Sequence, residues 1–146
     1  MKVKLFLTIL LIAVSVSGFL NAQSKIEIKK AWLRPAAKEM NSALFFEIMN
    51  NGNKPDTLFQ AESKISDDVM IHESYKTGND MMGMRMLKFV AVPPHSLVKF
   101  KPKGLHVMVM DLKEDLKIGQ TKEFTLMFRK AGKIKVKATV RDIPEK

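Results

Sequence analysis

The feature that most constrains this sequence is its hydrophobic period, which from Lys25 onward is two residues rather than 3.6. Short runs of alternating apolar and polar residues are separated by clusters of turn formers, such as Asn-Asn-Gly-Asn-Lys-Pro-Asp at positions 50–56. Alternation places successive side chains on opposite faces of a strand, and no stretch has the length and period of an amphipathic helix. The sequence therefore predicts an all-β sandwich or barrel.

The same alternation predicts where the strands lie and which side chains share a face. In the first strand, Ile26, Ile28 and Trp32 are expected on one face, and in the last strand Lys133 and Lys137 are expected to point outward. Such a basic row either protects an edge strand from pairing with other chains or docks an acidic partner. The predicted strands are the segment 26–32, Ala43–Met49, Thr57–Ala61, Val69–Tyr75, Met84–Phe89, Leu97–Phe100, Leu105–Leu112, and two strands that form a hairpin across Ala131-Gly132.

The amino terminus has the pattern of an export signal. Lys2 and Lys4 precede a largely apolar run, Leu5–Leu20, and the small residue Ala22 follows it. The run of about 16 residues is shorter than the roughly 20 that a transmembrane helix needs. We predict a signal peptide at residues 1–22 and one mature domain at residues 23–146, located in the periplasm or otherwise exported.

Charge and composition narrow the classes of function. The formal net charge is +10, and it is +8 without Lys2 and Lys4. This excess of positive charge favours an anionic partner, or it serves solubility alone. Export argues against nucleic acid, whereas docking close to a membrane stays open. The sequence has no His-Glu-x-x-His run or Ser-His-Asp motif, so we expect a binding protein and not an enzyme. We further expect the protein to be a monomer.

Histidine and methionine form the one constellation that carries chemistry. His106 and Met108 are two apart on a predicted strand, so both side chains leave the same face. His72 lies on another predicted strand, and Met84 follows it after a loop that contains glycine. We predict a metal site with two imidazoles and two thioethers, formed by His72, Met84, His106 and Met108. The competing interpretation is that these residues are ordinary structural side chains. The third histidine, His95, follows Pro93-Pro94 in a turn, and we expect it to be exposed and to bind no metal.

The donor atoms select the metal. Thioethers are soft and uncharged and suit Cu(I), whereas Zn²⁺ prefers thiolate or carboxylate ligands and Ca²⁺ requires oxygen. The chain has no cysteine, which excludes an electron-transfer copper site built on a thiolate. A protein without thiols also avoids oxidation outside the cytoplasm. The expected ion is therefore Cu(I).

Three segments resemble the signature of the periplasmic copper A chaperone family, PCu(A)C. They are His72-Glu73, Met82-Gly83-Met84-Arg85, and residues 104–110, which read Gly-Leu-His-Val-Met-Val-Met. The family pattern is a His, ten residues, a Met, twenty-one residues, then His-x-Met. Twenty-one residues separate Met84 from His106, but eleven separate His72 from Met84, so Met82 is the alternative ligand. Lys103-Gly104 replaces the paired glycine of the family.

The resemblance implies a cupredoxin-like β-fold, close to an Ig-like sandwich, with a Cu(I) site near the surface. It further implies a copper chaperone that delivers the ion to an acceptor protein, such as an oxidase subunit or another copper chaperone, in cytochrome oxidase assembly. Two alternatives stay open. One is an Ig-like envelope adhesion or assembly module that binds no metal, and the other is a protein of copper tolerance or storage.

Overall fold

The computed structural model describes residues 25–143, and secondary structure in that range consists of strands without a helix. No helix that could cross a bilayer occurs in those residues. The signal peptide predicted at residues 1–22 lies outside the described part of the chain. The ten strands are β1 (Ile26–Leu33), β2 (Ser42–Asn50), β3 (Asp56–Glu62), β4 (Asp68–Lys76), β5 (Met82–Met86), β6 (Val90–Val92), β7 (Ser96–Phe100), β8 (Leu105–Met110), β9 (Thr121–Phe128) and β10 (Gly132–Val140).

All ten strands belong to one sheet, in the order β5-β4-β8-β7-β2-β1-β10-β9-β3-β6. The sheet curls, and β2 pairs with β7 along one part of its length and with β8 along another. Most neighbours are antiparallel, but two pairs are parallel. β7 meets β8 at Phe100 and Leu105, and β1 meets β10 where Trp32 and Leu33 lie beside the end of the last strand. The all-β, cupredoxin-like prediction is confirmed.

The core lies on the concave face of this curled sheet, and the alternation of the sequence determines which residues reach it. On β8, Val107 and Val109 are fully buried in the core, whereas His106 and Met108 leave the opposite face, as predicted. The largest fully buried side chains are Phe46, Phe124, Leu33, Leu44, Ile48, Leu58, Leu112, Leu126, Val92, Val107, Val109 and Val140.

A β-bulge in β1 corrects the predicted face of Trp32. Lys29 pairs with Glu47 and Trp32 pairs with Phe45, so β1 has one residue more than β2 across this interval. The extra residue reverses the alternation, and Lys30 takes a positive φ of 53° there. Trp32 therefore does not share the core face of Ile26 and Ile28, but packs with Phe45 on the outer face.

Two further strand predictions are wrong in part. The sequence predicts one strand over Met84–Phe89. The structure has β5, which begins at Met82 and ends at Met86, and then the separate short strand β6. The basic row of the last strand does not lie on an edge strand, because β10 is between β1 and β9 and the edges of the sheet are β5 and β6. The parallel pairing of β1 with β10 joins the two ends of the domain, and no local pattern predicts it.

Candidate metal centre

The two predicted histidine ligands lie next to each other on the outer face of the sheet. His72 on β4 is directly opposite His106 on β8, and directly opposed residues of antiparallel strands project their side chains from the same face. Their ring centroids are 5.8 Å apart, and the rings meet edge to face at 71°. The structure therefore brings together two imidazoles that are 34 residues apart in the chain.

His106 is held in one tautomer by the backbone. Its ring is buried, and its Nδ1 is 3.0 Å from the carbonyl oxygen of Gly104. Because a carbonyl oxygen only accepts, Nδ1 carries the hydrogen and donates it, which leaves the lone pair on Nε2. The same carbonyl accepts the backbone N–H of Ser74 at 3.0 Å, so β4 fixes the acceptor in place. This is the arrangement that orients a histidine as a metal ligand.

His72 has a buried ring nitrogen that the described part of the chain leaves unpaired. Its Nδ1 has no hydrogen-bond partner within residues 25–143. Burial lowers the pKa of His72 below its usual 6.5, the nearby His106 lowers it further, and Asp68 partly opposes both effects. His72 is thus a neutral imidazole at neutral pH. A buried nitrogen without a partner costs free energy, and a metal ion bound to it would remove that cost.

The methionines surround this pair at different distances along the strands. Met108, half-buried, lies two residues beyond His106 and directly opposite Met70 of β4. Met84 of β5 is directly opposite Ser74, which makes it the diagonal neighbour of His72. The alternative ligand Met82 is opposite Lys76, about 14 Å along the strand from the level of His72. The register therefore places Met84 nearer the histidines than Met82.

Contacts on the other face of β5 hold the edge strand in this register. Gly83 lies directly opposite Tyr75, and a Cβ at Gly83 would come within 2.7 Å of the tyrosine ring, so only glycine lets the ring cover the strand. Arg85 stacks over the same ring at 5.3 Å and forms an ion pair with Glu73 at 2.6 Å. These contacts fix the positions from which Met84 and its neighbours project.

An aromatic cluster supports His106 from the side of β2. The Phe45 ring centroid is 6.3 Å from that of His106 and 4.5 Å from that of Trp32, and Arg141 lies over the indole at 5.0 Å. The sequence predictions missed Phe45 as part of the site. The signal was present, because the run Ala43–Phe46 is apolar at every position and so indicates a strand buried on both faces.

His95 is separate from this group. It lies in the turn before β7, at a positive φ of 52°, and its Nε2 is 2.7 Å from Oδ1 of Asn53.

Within residues 25–143 no three His, Cys, Asp or Glu side chains cluster as they would to hold a metal. The donors beside the histidine pair are thioethers, and two imidazoles with thioethers form a soft, uncharged set that fits Cu(I).

Fold and side-chain arrangement together define a class: a small cupredoxin-like β-domain with a cluster of His and Met side chains on one face of its sheet. The chain matches the family model described as "Putative lipoprotein LpqE-like" over residues 26–140, and it belongs to that family. It is 30% identical over 118 residues to "Putative lipoprotein Lxx21020" of Leifsonia xyli subsp. xyli, strain CTCB07, covering 80% of this chain and 70% of that protein. It is also 30% identical to RP573 of Rickettsia prowazekii, strain Madrid E, over 75% of this chain and 62% of the relative.

Solved structures of PCuAC domains share the fold. The apo PCuAC domain from PmoF1 has a TM-score of 0.69 at 31% identity, covering 84% of this chain and 97% of that one. The copper-bound PCuAC domain from PmoF2 has a TM-score of 0.67 at 29% identity, with the same coverage. The solution structure of CuI-DR1885 from Deinococcus radiodurans has a TM-score of 0.62 at 25% identity, covering 84% and 83%. The resemblance to the PCu(A)C family predicted from the motif is confirmed.

Proposed function

We propose that this protein is an exported copper chaperone that binds one Cu(I) ion through His72, Met84, His106 and Met108 and passes it to an acceptor protein. The observation that carries the proposal is the histidine pair. One imidazole has its tautomer set by Gly104, and the other has a buried nitrogen without a partner among the described residues. Thioethers project from the same face. Two similar proteins bind copper: the PCuAC domain from PmoF2 is copper-bound, and DR1885 is in its Cu(I) form.

The donor set supports Cu(I) over other ions. Two neutral imidazoles and two thioethers leave the single charge of Cu(I) as the charge of the whole site, whereas Cu(II) or Zn²⁺ would leave two charges without an anionic ligand. The aromatic cluster of Trp32 and Phe45 closes one side of His106 to water. The lowered pKa of His72 keeps the lone pair of one ring nitrogen available at neutral pH.

The difference in exposure between the donors supports delivery over storage. His106 is 4% exposed and is hydrogen-bonded to the backbone, whereas Met84 on the edge strand is 52% exposed. An acceptor can therefore replace an exposed thioether first while the buried imidazole still holds the ion. Ligands exchanged one at a time avoid releasing free copper. The acceptor proposed from the family resemblance is a copper site of a respiratory oxidase, reached in the periplasm.

A competition titration tests binding. The domain of residues 23–146 is titrated with Cu(I) against a chromophoric Cu(I) chelator, and native mass spectrometry gives the stoichiometry. We expect one Cu(I) per chain with a dissociation constant well below micromolar, and much weaker binding of Zn²⁺. No binding below micromolar, or equal affinity for Zn²⁺, would overturn the proposal.

A second measurement tests delivery. The Cu(I)-loaded domain is mixed with an apo copper-binding domain of an oxidase subunit in the presence of excess chelator. Transfer by ligand exchange is expected to be faster than the release of Cu(I) to the chelator alone. Transfer no faster than that release would refute the chaperone role and leave copper tolerance or storage as the function.

A further inference from the structure

Three methionines project from the edge strand β5 on the side of the histidine pair. Met82, Met84 and Met86 alternate along this strand, so their side chains share one face. The residue directly opposite His72 is Met86, not Met84. His72 is therefore flanked by His106 on one side and by Met86 on the other, in a single row across three strands.

The hydrogen-bond pattern places Met86 closer still. The N–H of Leu87 donates to the carbonyl of Ile71 at 2.8 Å, which makes Ile71 and Leu87 a hydrogen-bonded pair. Pair types alternate along antiparallel strands, so His72 and Met86 form a non-hydrogen-bonded pair, with Cα atoms about 4.5 Å apart and side chains at their closest. A diagonal neighbour such as Met84 lies at about 7–8 Å.

Packing gives no reason for a methionine at position 86. The side chain is 57% exposed and takes no part in the core clusters of the described residues. It also lies on an edge of the sheet, where natural proteins usually place charged residues or proline to prevent pairing with other chains. A thioether at this position has a chemical use beside an imidazole whose buried Nδ1 has no partner in the described range.

We propose that Met86 is a further Cu(I) ligand, which alternates with Met84 as the fourth donor beside His72, His106 and Met108. This inference rests on the proposed function. The exchange breaks one Cu–S bond and forms another between neutral thioethers, so copper stays Cu(I) and no proton moves. The ion can therefore move from one methionine to the other along the edge strand while both imidazoles stay bound. This movement brings the ion to the exposed side of the site, where an acceptor can bind it.

Conservative variants test the proposal. Leucine has nearly the volume of methionine but no donor atom, so Met86→Leu removes the sulfur and little else. We expect Met86→Leu and Met84→Leu each to weaken Cu(I) binding by about threefold to tenfold, because each can substitute for the other, and the double variant by at least about 30-fold. Met82→Leu is the matched control on the same strand and should leave the affinity unchanged.

A spectroscopic readout separates ligation from indirect effects. In protein labelled with ¹³C-methyl methionine, the Met86 methyl resonance is identified by its absence in Met86→Leu, and it should shift on addition of Cu(I). A Met86 resonance that does not move at saturation overturns the proposal. The proposal is also overturned if Met86→Leu causes no loss of Cu(I) affinity when it is introduced into the wild-type protein and none when it is added to Met84→Leu. If the wild-type domain binds no Cu(I), the proposed function itself fails, which is a different result.

Discussion

The substitution His106→Ala tests the proposed site most directly, because the structural cost and the copper-binding cost of losing this ring are separable. The structural cost has two parts. The hydrogen bond from Nδ1 to Gly104 is lost, which is worth about 1 kcal/mol net. The carbonyl of Gly104 keeps the Ser74 N–H at 3.0 Å, so no buried acceptor is left unpaired.

Packing adds the second part of the structural cost. The ring is 4% exposed and contacts Phe45, and truncation of a buried ring of this size costs about 2 kcal/mol. The total of about 3 kcal/mol is smaller than the 5–15 kcal/mol stability typical of a domain. His106→Ala should therefore fold, with a Tm lower by roughly 10 °C.

The effect on copper is separate and large. Loss of one of two imidazoles should weaken Cu(I) binding at least tenfold, which corresponds to about 1.4 kcal/mol. Competition with a Cu(I) chelator measures this loss, and circular dichroism verifies the fold at the same temperature. Trp32, the single tryptophan, packs on Phe45 beside His106, so quenching of its fluorescence by copper gives a second readout.

The matched control is His95→Ala. This histidine is exposed in a turn and contacts Asn53, away from the proposed site, so its removal should leave Cu(I) affinity unchanged. The reasoning is refuted if folded His106→Ala binds Cu(I) as tightly as wild type, or if both variants lose the same affinity.

Four other predictions concern the ligand set, the effect of pH and the stability of the fold. Met108→Ala should weaken Cu(I) binding at least about tenfold in the chelator assay while the domain stays folded, and unchanged affinity would remove Met108 from the ligand set. Cu(I) affinity should fall as the pH drops through the lowered pKa of His72, because protons then compete with the ion for that imidazole. Folding lowers the pKa of His72, so as pH falls the unfolded chain binds a proton at this histidine before the folded domain does. The metal-free domain should therefore lose stability as pH falls through 6.5 towards the folded pKa. A flat response of affinity to pH would contradict imidazole ligation. Asp56→Ala removes a buried carboxylate that accepts N–H groups of Thr57, Lys130 and Ala131 at 2.7–2.9 Å, and it should lower the free energy of unfolding by about 3 kcal/mol without changing Cu(I) affinity. If chemical denaturation shows a loss of unfolding free energy below about 0.5 kcal/mol, the hydrogen bonds that Asp56 accepts from the turn between β9 and β10 contribute little to stability.

The sequence alone determined the class of fold and half of the candidate site. The alternation around β8 predicted that Val107 and Val109 face the core while His106 and Met108 face away, and the structure agrees. This succeeds because the period of a strand is local, so residues two apart share a face whatever the rest of the chain does. The absence of cysteine and the soft donors likewise restricted the metal before any contact was known.

The tertiary structure decided how the second half of the site meets the first. Spacing along the chain selected Met84, whereas the register puts Met86 directly opposite His72. That register depends on Tyr75 covering Gly83 and on the bulge-free pairing of β4 with β5, which are contacts between strands. A slip of one residue between strands would turn every side chain to the other face, and the chain's local pattern does not determine it.

The position of Trp32 has the same explanation. One extra residue in β1 turns the indole from the core to the outer face, where it packs on Phe45 beside His106. The sequence shows neither the bulge nor the parallel pairing of β1 with β10, because both depend on residues distant along the chain. Local alternation thus determined which residues share a strand face, and only the packing of strands against each other determined which of those residues meet.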